Sequence, residues 1–366
     1  MIKGTLWFFG LFFCPLILQG QASGETEIFY PTLINRRVSV LSDLHDSPSV
    51  ISLAAVGDLM MGGRLLPMIH ARGSDYPFDS TRIVLQSVDF AFANLEAPFT
   101  HTGETFDKTY TFHVPPEYAD GVVHAGLDVL TLANNHILDY GPEGLFSTIN
   151  VLDSLHIAHC GADCNLEKAE KGVIVNKGDW RVGFLAYSMT YPTEFWATSE
   201  QCGTAYPYPN RLKQTIQTMK DQTDLVVVAF HWGGELRTEP KAYQRVYAHL
   251  AIDCGADLVI GHHPHVLEGL ELYKGRLIAY SLGNYVFGSY SPNAKVSMVL
   301  QLFFDRLGPL TAKVIPISVY NNDVQFQPKI LKGENRENVI QNLNDISADL
   351  NGGEEIIRSS GLIIVQ

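Results

Sequence analysis

Short apolar runs that alternate with helix-length segments fill the chain from residue 51 onward, and no other feature constrains its fold as strongly. Such alternation calls for sheets whose faces are covered by helices, an α/β architecture. The runs span residues 51–56, 88–93, 127–132, 182–188, 225–230, 258–260 and 277–281. Segments 116–124, 142–155, 209–220 and 241–253 suit helices, each with a proline at or beside its start, where the missing N–H costs nothing. The C-terminal third changes character. Residues 296–304 and 310–319 predict strands, the second at a sheet edge because it holds Pro316. A short run at 324–326 and a helix near 336–350 follow, with turns at Asn321-Asn322-Asp323 and Asn351-Gly352-Gly353. One continuous domain over 51–330, with a C-terminal helix and tail (331–366) packed on it, is the expected organisation.

The 366 residues are 46% hydrophobic and 18% charged, enough apolar surface for a core that needs no staples. The formal net charge of −13, without a basic cluster to track a phosphate backbone, argues against nucleic acid as a partner. The N-terminus has the pattern of a secretory signal: Lys3, an apolar stretch over 6–18, then small residues at Gly20 and Ala22. Residues 1–22 are therefore expected to be a signal peptide removed after Ala22, and 23–50 a loosely ordered lead-in. Cys14 lies inside the apolar stretch without the small residues that precede a lipid-anchored cysteine. Export places the protein in the periplasm, outside the cell or on its surface. It also permits disulfides, and Cys160, Cys164, Cys202 and Cys254 allow three pairings. Cys160 and Cys164 could close a small loop; free thiols remain the alternative.

Polar clusters stand at the C-terminal ends of the apolar runs. Asp58 follows the first run, Asn94 and Glu96 the second, and Asn134, Asn135, His136 and Asp139 the third. His231 and Glu235, then His262, His263 and His265, then Asn284 follow later ones. Open α/β sheets bind ligands outside the carboxyl ends of their strands, so these side chains are expected to meet at one sheet edge. A mixture of carboxylate, amide and imidazole suits manganese, zinc, iron or magnesium. Two such divalent ions can clamp a phosphoester, with a bridging carboxylate between them and a further histidine to protonate the leaving group. Each piece has a plainer reading: Gly57-Asp58 as a turn, Asn94-Leu95-Glu96 as a strand end, Asn134–His136 as a braced loop. The cluster His262-His263-Pro264-His265 is the most specific, since three adjacent imidazoles seldom serve packing alone.

Assembled, these motifs resemble the CapA family, named for poly-γ-glutamate capsule synthesis and related to calcineurin-like metallophosphoesterases. The resemblance rests on Ala55-Val56-Gly57-Asp58, Asn94-Leu95-Glu96, Leu132-Ala133-Asn134-Asn135-His136 with Asp139-Tyr140-Gly141, and His231-Trp232-Gly233-Gly234-Glu235. It continues through residues 255–266, with His262-His263-Pro264-His265, and Ser281-Leu282-Gly283-Asn284-Tyr285-Val286-Phe287. It implies a layered metallophosphoesterase-like sandwich with helices covering mixed β-sheets. It also implies Asp58, Glu96, Asn135, His231, His263 and His265 as ligands of two metals, Glu96 as the bridge, and His136 as general acid. Asn94, Glu235, His262 and Asn284 are possible additions. Met60 stands where the superfamily has a ligand histidine, which leaves one metal short of a ligand unless Glu235 or His262 replaces it. Two functions follow as alternatives. One is metal-assisted hydrolysis or transfer on a phosphoester or glutamyl polymer. The other is non-catalytic binding of an anionic capsule polymer during synthesis or export, alongside membrane-bound capsule synthesis components.

Overall fold

The computed structural model describes residues 49–365; the expected signal peptide and the lead-in up to residue 48 lie outside the described residues. Its strands, in chain order, begin with β1 (Ile51–Leu59), β2 (Phe90–Leu95), β3 (Val129–Thr131), β4 (Ala158–Cys160) and β5 (Ala162–Asp163). They continue with β6 (Val173–Lys177), β7 (Trp180–Ser188), β8 (Gly203–Thr204), β9 (Leu225–His231), β10 (Leu258–His262), β11 (Leu270–Tyr273) and β12 (Arg276–Ala279). The last are β13 (Val296–Asp305), β14 (Gly308–Ser318), β15 (Lys329–Ile330) and β16 (Leu362–Ile364). The principal helices are α1 (Gly141–Ser154), α2 (Pro209–Lys220), α3 (Ala242–Asp253) and α4 (Gly333–Ser347).

Two mixed sheets result. The first has the order β15-β14-β13-β1-β2-β3-β4, with β16 also on β14; the second runs β11-β12-β10-β9-β7-β6. In each, the centre is parallel (β1 to β4; β7, β9, β10 and β12) and the flanks are antiparallel. The period-2 alternation of side chains explains the layering. Leu53, Ala55 and Phe92 from the first sheet meet Phe184, Val227 and Ile260 from the second in one apolar core between them. The opposite parity, Ala54, Val56 and Ala93, packs under Leu145 and Leu152 of α1. Likewise Val226, Val228 and Phe230 lie under Leu212 and Ile216 of α2 and Ala248 of α3. The order is helix, sheet, sheet, helix, the layered α/β sandwich expected of the sequence. Helix α4 adds Val339, Ile340 and Leu343 to the core between the sheets.

Two expectations need correction. Strand β14 is not an open edge, because β15 and β16 both pair with it. Pro316 is tolerated there because it falls between the stretch paired to β16 (Thr311 to Lys313) and that paired to β15 (Ile317 and Ser318), where no N–H is required. The helix expected over 116–124 is instead a 3-10 turn, Pro116–Tyr118, followed by a short helix, Asp120–Ala125. Among the described residues no helix is long and apolar enough to cross a membrane.

Strand β1 extends past its apolar pattern to Leu59, and the extension carries a β-bulge. Ala55 pairs with Phe92, yet Asp58 pairs with Asn94, so three steps on β1 match two on β2. Without it, Asp58 would share the parity of Ala54 and Val56 and face the outer helices. Gly57 makes the bulge possible: a Cβ there would lie 1.8 Å from the carbonyl oxygen of Gly283. Gly283 is held close because its carbonyl accepts the Asp58 N–H at 3.0 Å. Gly57→Ala should therefore destabilise the fold by about 3 kcal/mol, the scale of overpacking against backbone. Chemical unfolding checks this; wild-type stability would show that the loop yields freely.

Candidate metal centre

Parity decides which side chains enter the space between the sheets. Asn94, His231 and His262 continue the inward rows of Phe92, Ala229 and Ile260, and the bulge adds Asp58 to them. His231 and His262 are direct partners across β9 and β10. The apolar core thus ends in a polar cap, with the Phe92 ring 5.9 Å from that of His262.

Within this cap, Asp58, Glu96 and His265 each offer a ligand atom within 4.8 Å of the others. His265 Nδ1 lies 3.1 Å from Asp58 Oδ2, and its Nε2 lies 4.0 Å from Glu96 Oε2. The amide of Asn94 donates to Asp58 Oδ1 at 2.9 Å and to Glu96 Oε1 at 3.0 Å, holding the two carboxylates together. His231 Nε2 is 2.7 Å from Asn135 Oδ1 and 3.3 Å from Glu96 Oε1. His262 Nδ1 is 3.4 Å from Asp58 Oδ1. The rings of His231 and His263 are 4.8 Å apart, and those of His263 and His265 5.9 Å. Asn284 Oδ1 contacts His265 Nδ1 at 3.0 Å. His263 and His265 both have positive φ, 97° and 59°. That left-handed backbone turns alternate side chains of the segment back toward the cap, at a cost that structure elsewhere must offset.

Electrostatics mark the cluster as short of cations. Burial raises the Glu96 carboxyl well above its usual range, and repulsion from Asp58 adds to this. Burial would raise Asp58 too, but the His262 and His265 imidazoles beside it hold it well below. Burial lowers His265, yet Glu96 and Asp58 outweigh it and hold that imidazole up at about 9. His231 is pushed well down by burial, and His263 to about 3 by burial and by His265. Glu96 thus keeps its proton and His265 its charge beside an ionised Asp58, while His231 and His263 stay neutral. Several buried polar atoms have no hydrogen-bond partner: Glu96 Oε2, both ring nitrogens of His262, His263 Nδ1 and Asn284 Nδ2. Orphans gathered in one place are the groups that a bound ion or ordered water satisfies. Carboxylate oxygens and imidazole nitrogens are the donors a divalent ion takes, so the residues fit one.

The remaining expected positions sort by place. Asn134 braces its loop, its amide donating to Asn94 Oδ1 and the Leu95 carbonyl while its Oδ1 accepts from the His136 and Ile137 N–H groups. Met60 does not face the cluster; it packs in the outer apolar layer beside Gly62 and Gly288. Glu235 stands on the exposed rim. It lines, with Asn135 and His263, a cavity of about 620 Å³ also walled by Thr190, Trp196 and Tyr243. His136 borders the cluster, its Nδ1 2.8 Å from Asp139 Oδ2, and burial lowers its pKa against the pull of Asp139. The sequence reading passed over two partners here. Lys108 Nζ pairs with Asp139 Oδ1 and donates to the Asn135 carbonyl, and Asp139 Oδ2 also accepts the Phe112 N–H at 2.7 Å. Lys108 sits in the irregular stretch after Thr100, where no periodicity signals its partners.

Glu268 also went unnoticed. It is fully buried, accepts from Gln244 Nε2 at 2.8 Å, and is pushed up by burial to about 8. The folded protein therefore keeps a proton that the unfolded chain releases above 4.5. Stability falls as pH rises from about 4.5 through about 8. Glu268→Gln should remove this loss, raising stability by about 1–3 kcal/mol at pH 8 and little near pH 4.5. Denaturant curves at the two pH values decide; an equal effect at both would refute the buried proton.

The family described as "Bacterial capsule synthesis protein PGA_cap" matches residues 52–289. The capsule biosynthesis protein CapA of Bacillus anthracis is 32% identical over 296 residues, covering 79% of this chain and 72% of the relative. The PGA biosynthesis protein CapA of Bacillus subtilis (strain 168) is 31% identical over 277 residues, covering 75% and 73%. Among solved structures, a novel phosphatase of Mycoplasma pneumoniae overlays with a TM-score of 0.47 at 14% identity, covering 74% of this chain and 94% of that one. A 5'-nucleotidase precursor of Thermus thermophilus gives 0.42 at 15% identity, covering 77% and 54%. The family match spans β1 through the Asn284 loop, every element that delivers a side chain to the cap, and on that match and the Bacillus relatives the chain belongs to the bacterial capsule synthesis protein family PGA_cap.

Proposed function

We propose that the protein acts outside the cytoplasm in the synthesis or export of an anionic capsule polymer of the poly-γ-glutamate type, through a site that binds two divalent metal ions. One observation carries this reading: the orphaned ligand atoms of Glu96, His262 and His263 lie buried beside Asp58 and His265. Metal would supply positive charge to a protein of formal net charge −13, which would otherwise repel a polycarboxylate. Bound there, divalent ions polarise a carboxylate, phosphoryl or amide oxygen. The chain itself does the rest. Asp58 and Glu96, tied together by Asn94, fix the negative floor of the site. Asn135, held by the buried His231, stands at its rim, where the 620 Å³ cavity admits a polymer end. Membrane-bound capsule synthesis components are the partners proposed for such a step.

A second reading, a metal-dependent phosphoesterase or hydrolase unrelated to capsule, draws on the His136–Asp139 pair. His136 Nδ1 lies between Asp139 Oδ2 at 2.8 Å and Lys108 Nζ at 3.2 Å, so Nε2 is the ring atom that would carry a proton to a leaving group. Full-chain protein, stripped with chelator and reloaded with manganese or zinc, separates the two. Metal-dependent binding of a γ-glutamyl oligomer without phosphodiester cleavage supports the capsule reading; cleavage without oligomer binding supports the second. Export is tested apart from both. Protein from the native host should begin at residue 23, and an intact Met1 on a cytoplasmic product would reject it.

A further inference from the structure

We propose that Cys164 and Cys202 form a disulfide that staples one wall of the cavity beside the metal centre. Strand register brings the two cysteines face to face. Strands β5 and β8 pair antiparallel, Ala162 with Thr204 and Asp163 with Gly203. The next step of the same ladder sets Cys164 opposite Cys202.

The bonding alternation sharpens this. The Ala205 N–H donates to the Gly161 carbonyl at 2.8 Å, so Gly161 and Ala205 occupy a hydrogen-bonded position. Asp163 and Gly203 are then the next hydrogen-bonded pair, and Cys164 and Cys202 fall in the non-hydrogen-bonded class. In that class facing side chains come closest, within the Cα separation a disulfide accepts. Both are free thiols and half-buried in the structure. The pairing suggested by the sequence, Cys160 with Cys164, is opposed by burial. Cys160 is buried in the apolar core between the sheets, where burial pushes its thiol up to about 12 and leaves it inert. Lys168 reaches the Cys164 sulfur.

The link closes a loop that contains β6, β7 and the segment from Met189 to Trp196. Met189, Thr190, Tyr191 and Trp196 line the cavity next to Asn135 and His263. This segment is already tied at its base, where the Ala197 N–H donates to the Thr204 carbonyl and the Leu166 N–H to that of Thr198. A covalent bond at the same base would fix the wall against the rest of the fold.

The chemistry balances with a small disulfide as oxidant. The Cys164 thiolate attacks oxidised glutathione and expels one glutathione thiolate; the Cys202 thiolate then attacks the Cys164 sulfur of the mixed disulfide and expels the second. Two protein thiols are oxidised and one glutathione disulfide is reduced to two thiols.

The test uses the full chain, equilibrated in a glutathione redox buffer, trapped with N-ethylmaleimide and mapped without reduction by tandem mass spectrometry. A Cys164–Cys202 link is expected, with Cys160 and Cys254 recovered as alkylated thiols. The oxidised protein should melt about 5 °C or more above the reduced one, and the C164S/C202S double variant should lack both link and shift. Stable glutathione adducts on either residue without a link, a Cys160–Cys164 link, or two free thiols after equilibration would each overturn the proposal. No metal is needed, so its outcome is independent of the functional reading.

Discussion

Asp58→Asn is expected to weaken divalent-metal binding by more than about 100-fold while the chain stays folded. Replacing even an outer partner of a metal ligand costs 10–100-fold in affinity, and Asp58 sits where the ligand atoms of the cluster come together. The substitution keeps size and one acceptor oxygen, so either the Asn94 amide or the His263 N–H keeps its hydrogen bond while the other meets the new NH2. What disappears is the one carboxylate that the surrounding imidazoles keep ionised. Metal analysis after dialysis, with unfolding curves in parallel, gives the answer. Wild-type metal content in the folded variant would remove the site from Asp58 and end the metal-centre reading. His265→Ala should reduce metal content in the same direction.

On the hydrolase reading, His136→Ala should leave metal content near the parent's and lower turnover by about 10²–10⁴-fold, the usual scale for one acid–base group. The leaving group supplies a signature that a structural role lacks. An ester or amide with a poor leaving group should show the full loss, whereas a para-nitrophenyl phosphodiester, whose leaving group needs little protonation, should show far less. Asp139→Asn should follow the same pattern more weakly, because Asp139 positions the ring and does not touch substrate. Equal loss on both substrates would assign His136 to bracing its loop. Loss of metal would make it a ligand.

The residues that could be placed from sequence share a physical reason. Asn94, His231 and His262 sit at the ends of regular strands, where period-2 alternation alone assigns the inward face. The layered sheets were legible for the same cause. Contacts made across irregular chain were not. Lys108 meets Asp139 from a loop without periodicity, and Glu268 meets Gln244 across the gap between a loop and α3. Pro316 gave a sound local signal, the absence of an N–H, but could not tell an open edge from a gap between two short partners. Met60, read as the departure from the superfamily's ligand histidine, has its side chain in the outer apolar layer.

The bulge in β1 has a consequence for how such a chain can change over time. It makes Asp58 depend on the number of residues between Ala55 and the cap more than on their identity. Swaps among small apolar residues before the bulge would leave the carboxylate facing inward. Loss of a single residue there would restore regular pairing and turn the acid out under the helices, with the strand otherwise intact. Among relatives, this segment should therefore vary in spelling and hold its length, and a one-residue gap at this point would mark a lineage that has kept the scaffold and abandoned the metal.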